Sequence, residues 1–304
     1  ANIAVTKDAK TAYVSGSING DPNVQVIDLA TSTVRDTILL PGASLAWGVT
    51  LSSDESKLYV GNYNDSFLYI VDTATNAVSD TVSNTDDPNF GIPQRIAVTP
   101  SGDAWLVNHD SGHYCLFKID ANNAITAGPI YAPDSQDNVG DEIYRLGQPE
   151  LSKDGSKLYI TCTVETNHGG SPALFSSSIC IYDISSNTFS HVADVSITEN
   201  PSFESWGFED LAVSHDGSLL YKSNFDADSV SVINTSDDSV VATVAVGNSP
   251  SGVDISSDGA AVYIVQSRFM EIIGSGDFTR VGQVTVINSL NNSITQTLQV
   301  GGVI

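Results

Sequence analysis

Residues 211–246 read LAVSHDGSLLYKSNFDADSVSVINTSDDSVVATVAV. Leu211-Ala-Val is a short apolar strand, and Ser214-His-Asp-Gly is a turn signal, because Asp and Gly accept the backbone that a tight hairpin needs. Tyr221 then leads a second strand ending at Asn224, a third strand ends at Asn234, and a Val-rich fourth strand closes the unit. The same order recurs in IAVTKDAKTAYVSG from Ile3, GVTLSSDESKLYVGN from Gly48, RIAVTPSGDAWLVN from Arg95, PELSKDGSKLYITC from Pro149 and GVDISSDGAAVYIVQ from Gly252. The aromatic anchors are Tyr13, Tyr59, Trp105, Tyr159, Tyr221 and Tyr263, at intervals of 46, 46, 54, 62 and 42 residues. A period near 40 to 50 with four strands per unit marks a propeller blade. The expectation is an all-β, six-bladed β-propeller of four-stranded antiparallel blades in one domain, with seven blades as the alternative count. The blades fall at about 1–45, 46–92, 93–146, 147–207, 208–250 and 251–304.

Each third strand ends on Asp or Asn, at Asp28, Asp72, Asp120, Asp183, Asn234 and Asn288, where the side chain can close the following turn by bonding its own backbone. Asp154-Gly155 and Asp216-Gly217 supply turns between first and second strands. This syntax resembles the YVTN repeat family, whose pattern runs as an apolar strand, SPDGK, YVxN, VxVIDxxT and a closing VGxxP. The resemblance covers nearly the whole chain. It implies the propeller fold, and it points to interaction modules of surface-layer and exported proteins, although propellers also host enzymes. The end QVGGVI and the start ANIAVTKDAK together resemble an ordinary fourth-to-first strand connection, so no blade should be shared between the termini and the ends should lie close.

The 36 acidic and 12 basic residues give a net charge of -24, which repels phosphate backbones and anionic membrane surfaces. Nucleic acid is therefore excluded as a partner, and no apolar run is long enough for membrane insertion. A start at Ala1 and a surface rich in Ser, Thr and Asn fit a mature exported protein, so the expected location is secreted, cell-surface or periplasmic. Cys115, Cys162 and Cys180 have no metal-type spacing. They are either buried thiols or, for Cys162 and Cys180, neighbours across adjacent strands.

Length variation concentrates at 130–147, 163–178, 198–208 and 268–282, all in second-to-third or fourth-to-first connections, which emerge on one face of a propeller. That decorated face is the candidate binding face. Along the first strands one alternating set is apolar, including Ile3 and Val5, Val49 and Leu51, Ile96 and Val98, Leu211 and Val213, and Val253 and Ile255. The other set is small except for Glu150 and Asp254, with Arg95, Gln148, Asp210 and Asn2 just above. The candidate channel-mouth and loop residues are Asn2, Trp47, Arg95, Gln148, Glu150, Asp210, Asp254 and Arg268.

A carboxylate near the axis needs water, an ion partner or a cation. Glu150, Asp210 and Asp254 are thus one candidate metal set, for calcium or another divalent cation. His109, His113 and His168 are a second, for a transition metal, set against plain coincidence on exposed loops. Asn62, Asn108 and Asn224 end their strands and read as caps. GxSxG, HExxH, a phosphate loop and CxxC are absent, and no catalytic residue is assigned. Two functions compete. One is a binding module for protein, glycan, a small molecule or further copies of itself; the other is a metal-assisted hydrolase or lyase of lactonase type.

Overall fold

A computed structural model describes residues 2–18, 20–62, 65–110, 113–132, 142–166, 174–193, 209–247, 249–271 and 278–300. Six antiparallel four-stranded sheets make up a six-bladed β-propeller. The chain divides into two compact units, residues 1–136 and 137–304.

In the first unit, blade 1 comprises β1 (Ile3–Val5), β2 (Thr11–Ile18), β3 (Asp21–Asp28) and β4 (Thr33–Leu39). Blade 2 comprises β5 (Ala46–Leu51), β6 (Lys57–Asn62), β7 (Phe67–Asp72) and β8 (Ala77–Ser83), and blade 3 comprises β9 (Ile92–Val98), β10 (Ala104–Asp110), β11 (His113–Ile119) and β12 (Ile125–Tyr131). In the second unit, blade 4 comprises β13 (Glu142–Leu151), β14 (Lys157–Thr166), β15 (Leu174–Asp183) and β16 (Thr188–Ala193). Blade 5 comprises β17 (Leu211–Val213), β18 (Leu219–Asn224), β19 (Ser229–Asn234) and β20 (Ser239–Ala245), and blade 6 comprises β21 (Pro250–Ile255), β22 (Ala261–Glu271), β23 (Phe278–Asn288) and β24 (Ile294–Val300). Every sheet takes its four strands consecutively from the chain, so no blade is shared between the termini. The expected closeness of the ends falls on residues 1 and 301–304, outside the described residues.

Turn chemistry sets the registers. The Asp154 carboxylate accepts hydrogen bonds from Ser152 Oγ at 2.7 Å, Ser156 N at 3.0 Å and Ser156 Oγ at 2.8 Å. These bonds, led by that of Ser152, hold its pKa at about 2. The adjacent Gly155 has φ +70°, the left-handed backbone that glycine tolerates best. Blade 2 places Glu55 at that left-handed position, with φ 61°. All six third-strand caps behave as expected: backbone N–H groups at Ala30, Thr75, Asn122, Ser186, Ser236 and Leu290 donate to Asp28, Asp72, Asp120, Asp183, Asn234 and Asn288.

Blade-to-blade packing follows one rule within each unit. The face of a blade that carries its aromatic anchor, the anchor face, is covered by the first-strand apolar pair of the next blade, the receiving face. Tyr13 shares a buried cluster with Val49, Leu58 and Val60, and Tyr59 shares one with Ile96, Ala104 and Leu106. Tyr159 does so with Leu211 and Leu220, and Tyr221 with Val253, Val262 and Ile264. These four tyrosines are at most 2% exposed. Each fully buried aliphatic side chain is worth roughly 1.5–3 kcal/mol, so these interfaces outweigh any single turn contact.

Candidate functional site

The first-strand carboxylates come from three neighbouring positions of the second unit. Glu150, in β13 opposite Tyr159, is half-buried. Desolvation first, then the negative charges of Asp210 and Asp254, push its pKa up to about 8. Asp210 precedes β17 and is committed to the backbone: its Oδ1 accepts from Leu211 N at 2.9 Å and its Oδ2 from Val253 N at 3.1 Å, clasping blade 5 to blade 6. Asp254 is exposed and accepts from Ile255 N at 2.7 Å. Among the described residues no group of three or more His, Cys, Asp or Glu is arranged to hold a metal ion.

The other mouth candidates have structural engagements of their own. Arg95 lies over the Trp47 ring at 5.4 Å, and Gln148 donates its N–H to Thr161 Oγ1 at 2.8 Å. Asn2 donates its N–H to Ser15 Oγ at 2.8 Å and accepts from Ile3 N through its own side chain at 2.7 Å. The His109 ring sits against Tyr114, with centroids 4.6 Å apart. His168 lies outside the described residues, and so do the side chains of His113 and Arg268. Three strand-ending asparagines are buried and work as caps: Asn108 Oδ1 accepts from Gly91 N at 3.0 Å, Asn62 donates to Asp65 at 3.1 Å, and Asn224 donates to Ser231 Oγ at 2.8 Å.

Sequence reasoning missed a buried ionic cluster between blades 4 and 5. Lys222 follows the anchor Tyr221, where other blades carry Val14, Val60, Leu106, Ile160 and Ile264. Its side chain is 0% exposed and its Nζ lies 2.8 Å from Glu209 Oε2. Ser177 Oγ donates to Glu209 at 2.7 and 2.8 Å and accepts from Lys222, whose ammonium also reaches Asn224 Oδ1 at 3.2 Å. The signal was the lysine in LLYKSN, a charge at an otherwise aliphatic position. With both ions paired and hydrogen-bonded, the cluster is a brace between blades. A polar cleft of about 650 Å³ between the turns of blades 4 and 5 is lined by Ser152, Asp154, Asp216 and Ser236. Its two aspartates are already spent on closing their own turns.

Apolar side chains stand in water on outer strands of both units: Val34 of β4 is 52% exposed, and Val240 and Val241 of β20 are 42% and 53% exposed.

No protein-family model and no curated protein matches the chain. Among solved structures, a proposed 6-phosphogluconolactonase from Bacteroides uniformis matches with TM-score 0.64 and 14% identity over 98% of this chain and 85% of that one. Kuenenia stuttgartiensis hydrazine synthase matches with TM-score 0.56 and 15% identity over 96% of each chain. The Cps50 (Swd1) β-propeller domain of Myceliophteria thermophila matches with TM-score 0.62 and 10% identity over 97% of this chain and 84% of that one. The likeness is one of fold. Propellers with such different names share these backbones, so function must be argued from this chain's own surfaces.

Proposed function

We propose that this chain is an interaction module, a propeller of the YVTN-repeat kind working outside the cytoplasm, that binds protein through its exposed apolar sheet edges. The observation that carries the reading is the apolar surface on the outer strands, with Val240 and Val241 of β20 42% and 53% exposed and Val34 of β4 52% exposed. An outermost strand with apolar side chains in water is a surface on which a partner packs. The net charge of -24 supports a partner that is not nucleic acid. The decorated loops, the surface for a glycan or small molecule, fall largely outside the described residues.

A second reading, a metal-assisted hydrolase or lyase of lactonase type, draws on Glu150 and its pKa of about 8, with Asp210 and Asp254 beside it. The backbone engagement of Asp210 counts against it, because a cation would have to compete with two N–H donors. The two readings separate in one pair of assays. The module reading expects an environment-sensitive apolar dye to bind and Val241→Asp to weaken its signal. It also expects no hydrolysis from a lactone panel with calcium or magnesium. Turnover lost in Glu150→Gln would reverse the conclusion.

A further inference from the structure

Each blade ends on an outer strand that pairs with its sheet on one side only, and such an edge invites a further strand unless something blocks it. All six outer strands carry a bulge at the same place, where one residue has no partner on the third strand. In five blades that residue is polar: Arg35, Ser79, Thr126, Ser190 and Thr295. In blade 5 it is Val241, 53% exposed. The next position adds a second guard in β4 and β8, where Asp36 and Asp80 put a charge at mid-strand, and β12 has Pro129 two residues further on. In β20 that position is Ala242, and the whole strand, SVVATVA, has neither a charge nor a proline.

The same strand is nearly palindromic about Ala242. An antiparallel copy centred there sets Ser239 against Ala245, Val240 against Val244, Val241 against Thr243 and Ala242 against itself. The flanking Asp237 and Asp238 fall opposite Gly247 and Val246, so no like charges meet. The same operation on β4 or β8 would set Asp36 against Asp36 or Asp80 against Asp80, a destabilising pair. Resting on the interaction-module reading, we propose that the partner is a second copy of this chain, whose β20 adds antiparallel to β20 across a two-fold axis. Main-chain hydrogen bonds hold such an added strand, and the matched side chains set its register. The contact is isologous, so it closes at a dimer. Each copy carries a charge of -24, so the copies repel at low salt, and screening strengthens the association.

The test is sedimentation of the full chain from about 1 to about 500 µM, at low and high sodium chloride, a range that detects micromolar association. Wild type should rise from one chain mass to two and level there, at lower concentration in high salt. Val241→Lys should remain at one. Val34→Lys, at a valine 52% exposed on the strand that Asp36 guards, should associate as wild type does. Both positions are exposed, so the variants should keep the wild-type circular dichroism spectrum and unfolding transition. Ala242→Cys reads the register, because residues directly opposed in an antiparallel pair have Cα atoms about 4.5–5.5 Å apart, within disulfide reach. Oxidised glutathione, taking up the two thiol hydrogens, should join two such chains through position 242, and a reductant should part them. Wild type, whose three cysteines are buried, should give no covalent dimer under the same treatment.

Wild type that stays monomeric throughout overturns the proposal. So does association that survives Val241→Lys, is lost equally in Val34→Lys, or grows beyond two chains, and so does a dimer that Ala242→Cys fails to link. Monomeric wild type whose apolar-dye signal still falls in Val241→Asp would overturn self-association while leaving a different protein as partner. Monomeric wild type without dye binding would overturn the module reading as well.

Discussion

Removing one charge from the brace between blades 4 and 5 should be among the most costly single changes in the chain. Glu209→Gln keeps the shape and leaves an ammonium at Lys222 that is 0% exposed, with only neutral acceptors at Ser177, Ser223 and Asn224. Breaking a buried pair by removing one partner costs about 3–5 kcal/mol. For a large domain this corresponds to a fall in Tm of roughly 6–15 °C. Replacing the pair with neutral groups should restore most of the loss, because the interior positions equivalent to Lys222 in other blades are aliphatic. Lys222→Leu combined with Glu209→Gln should therefore fall within about 1–2 kcal/mol of wild type, giving a large favourable coupling between the two changes. Urea and thermal unfolding followed by far-ultraviolet circular dichroism measure all four members of the cycle. A Glu209→Gln cost below about 1 kcal/mol, or a double variant whose loss is the sum of the singles, would refute the buried-pair account.

Three further outcomes are expected. Glu150 holds its proton more tightly in the folded state, so its contribution to stability is lost as pH rises from its ordinary 4.5 to about 8; the turn carboxylates of Asp154 and Asp216, lowered to about 2, lose theirs as pH falls below their ordinary 3.8. Stability should therefore peak near pH 4 to 5 and decline toward 8, and Glu150→Gln should flatten that decline; a profile rising from 5 to 8 would contradict it. The Cys162 and Cys180 sulfurs lie 2.9 Å apart, inside normal sulfur contact, so oxidised glutathione should link them with loss of two hydrogens from the intact mass. Reduction should then lower the Tm, and a mass unchanged after prolonged oxidation would rule the link out. Calcium or magnesium should shift the Tm no more than sodium at matched ionic strength, since Asp210 is already committed to the backbone; a divalent-specific rise lost in Glu150→Gln would revive the cation site.

The six blades and their turns were legible because each depends on local chemistry repeated six times. The Asp or Asn caps and the Asp-Gly turns act over two or three residues, and the anchors mark the period. Cys162 and Cys180 were legible in part: the sequence left open buried thiols or neighbours on adjacent strands, and the structure has them free, buried and side by side. Lys222 was visible only as an anomaly, because its partners Glu209 and Ser177 come from 13 and 45 residues away and no local rule links them. The axial acids were found by strand alternation, yet that pattern could not show that Asp210 would turn to two N–H groups.

Turnover separates a binding module from an enzyme most directly. The full-length chain, incubated with calcium or magnesium and a panel of lactones, should release no acid above the uncatalysed rate. Acid release that Glu150→Gln abolishes would contradict the module reading.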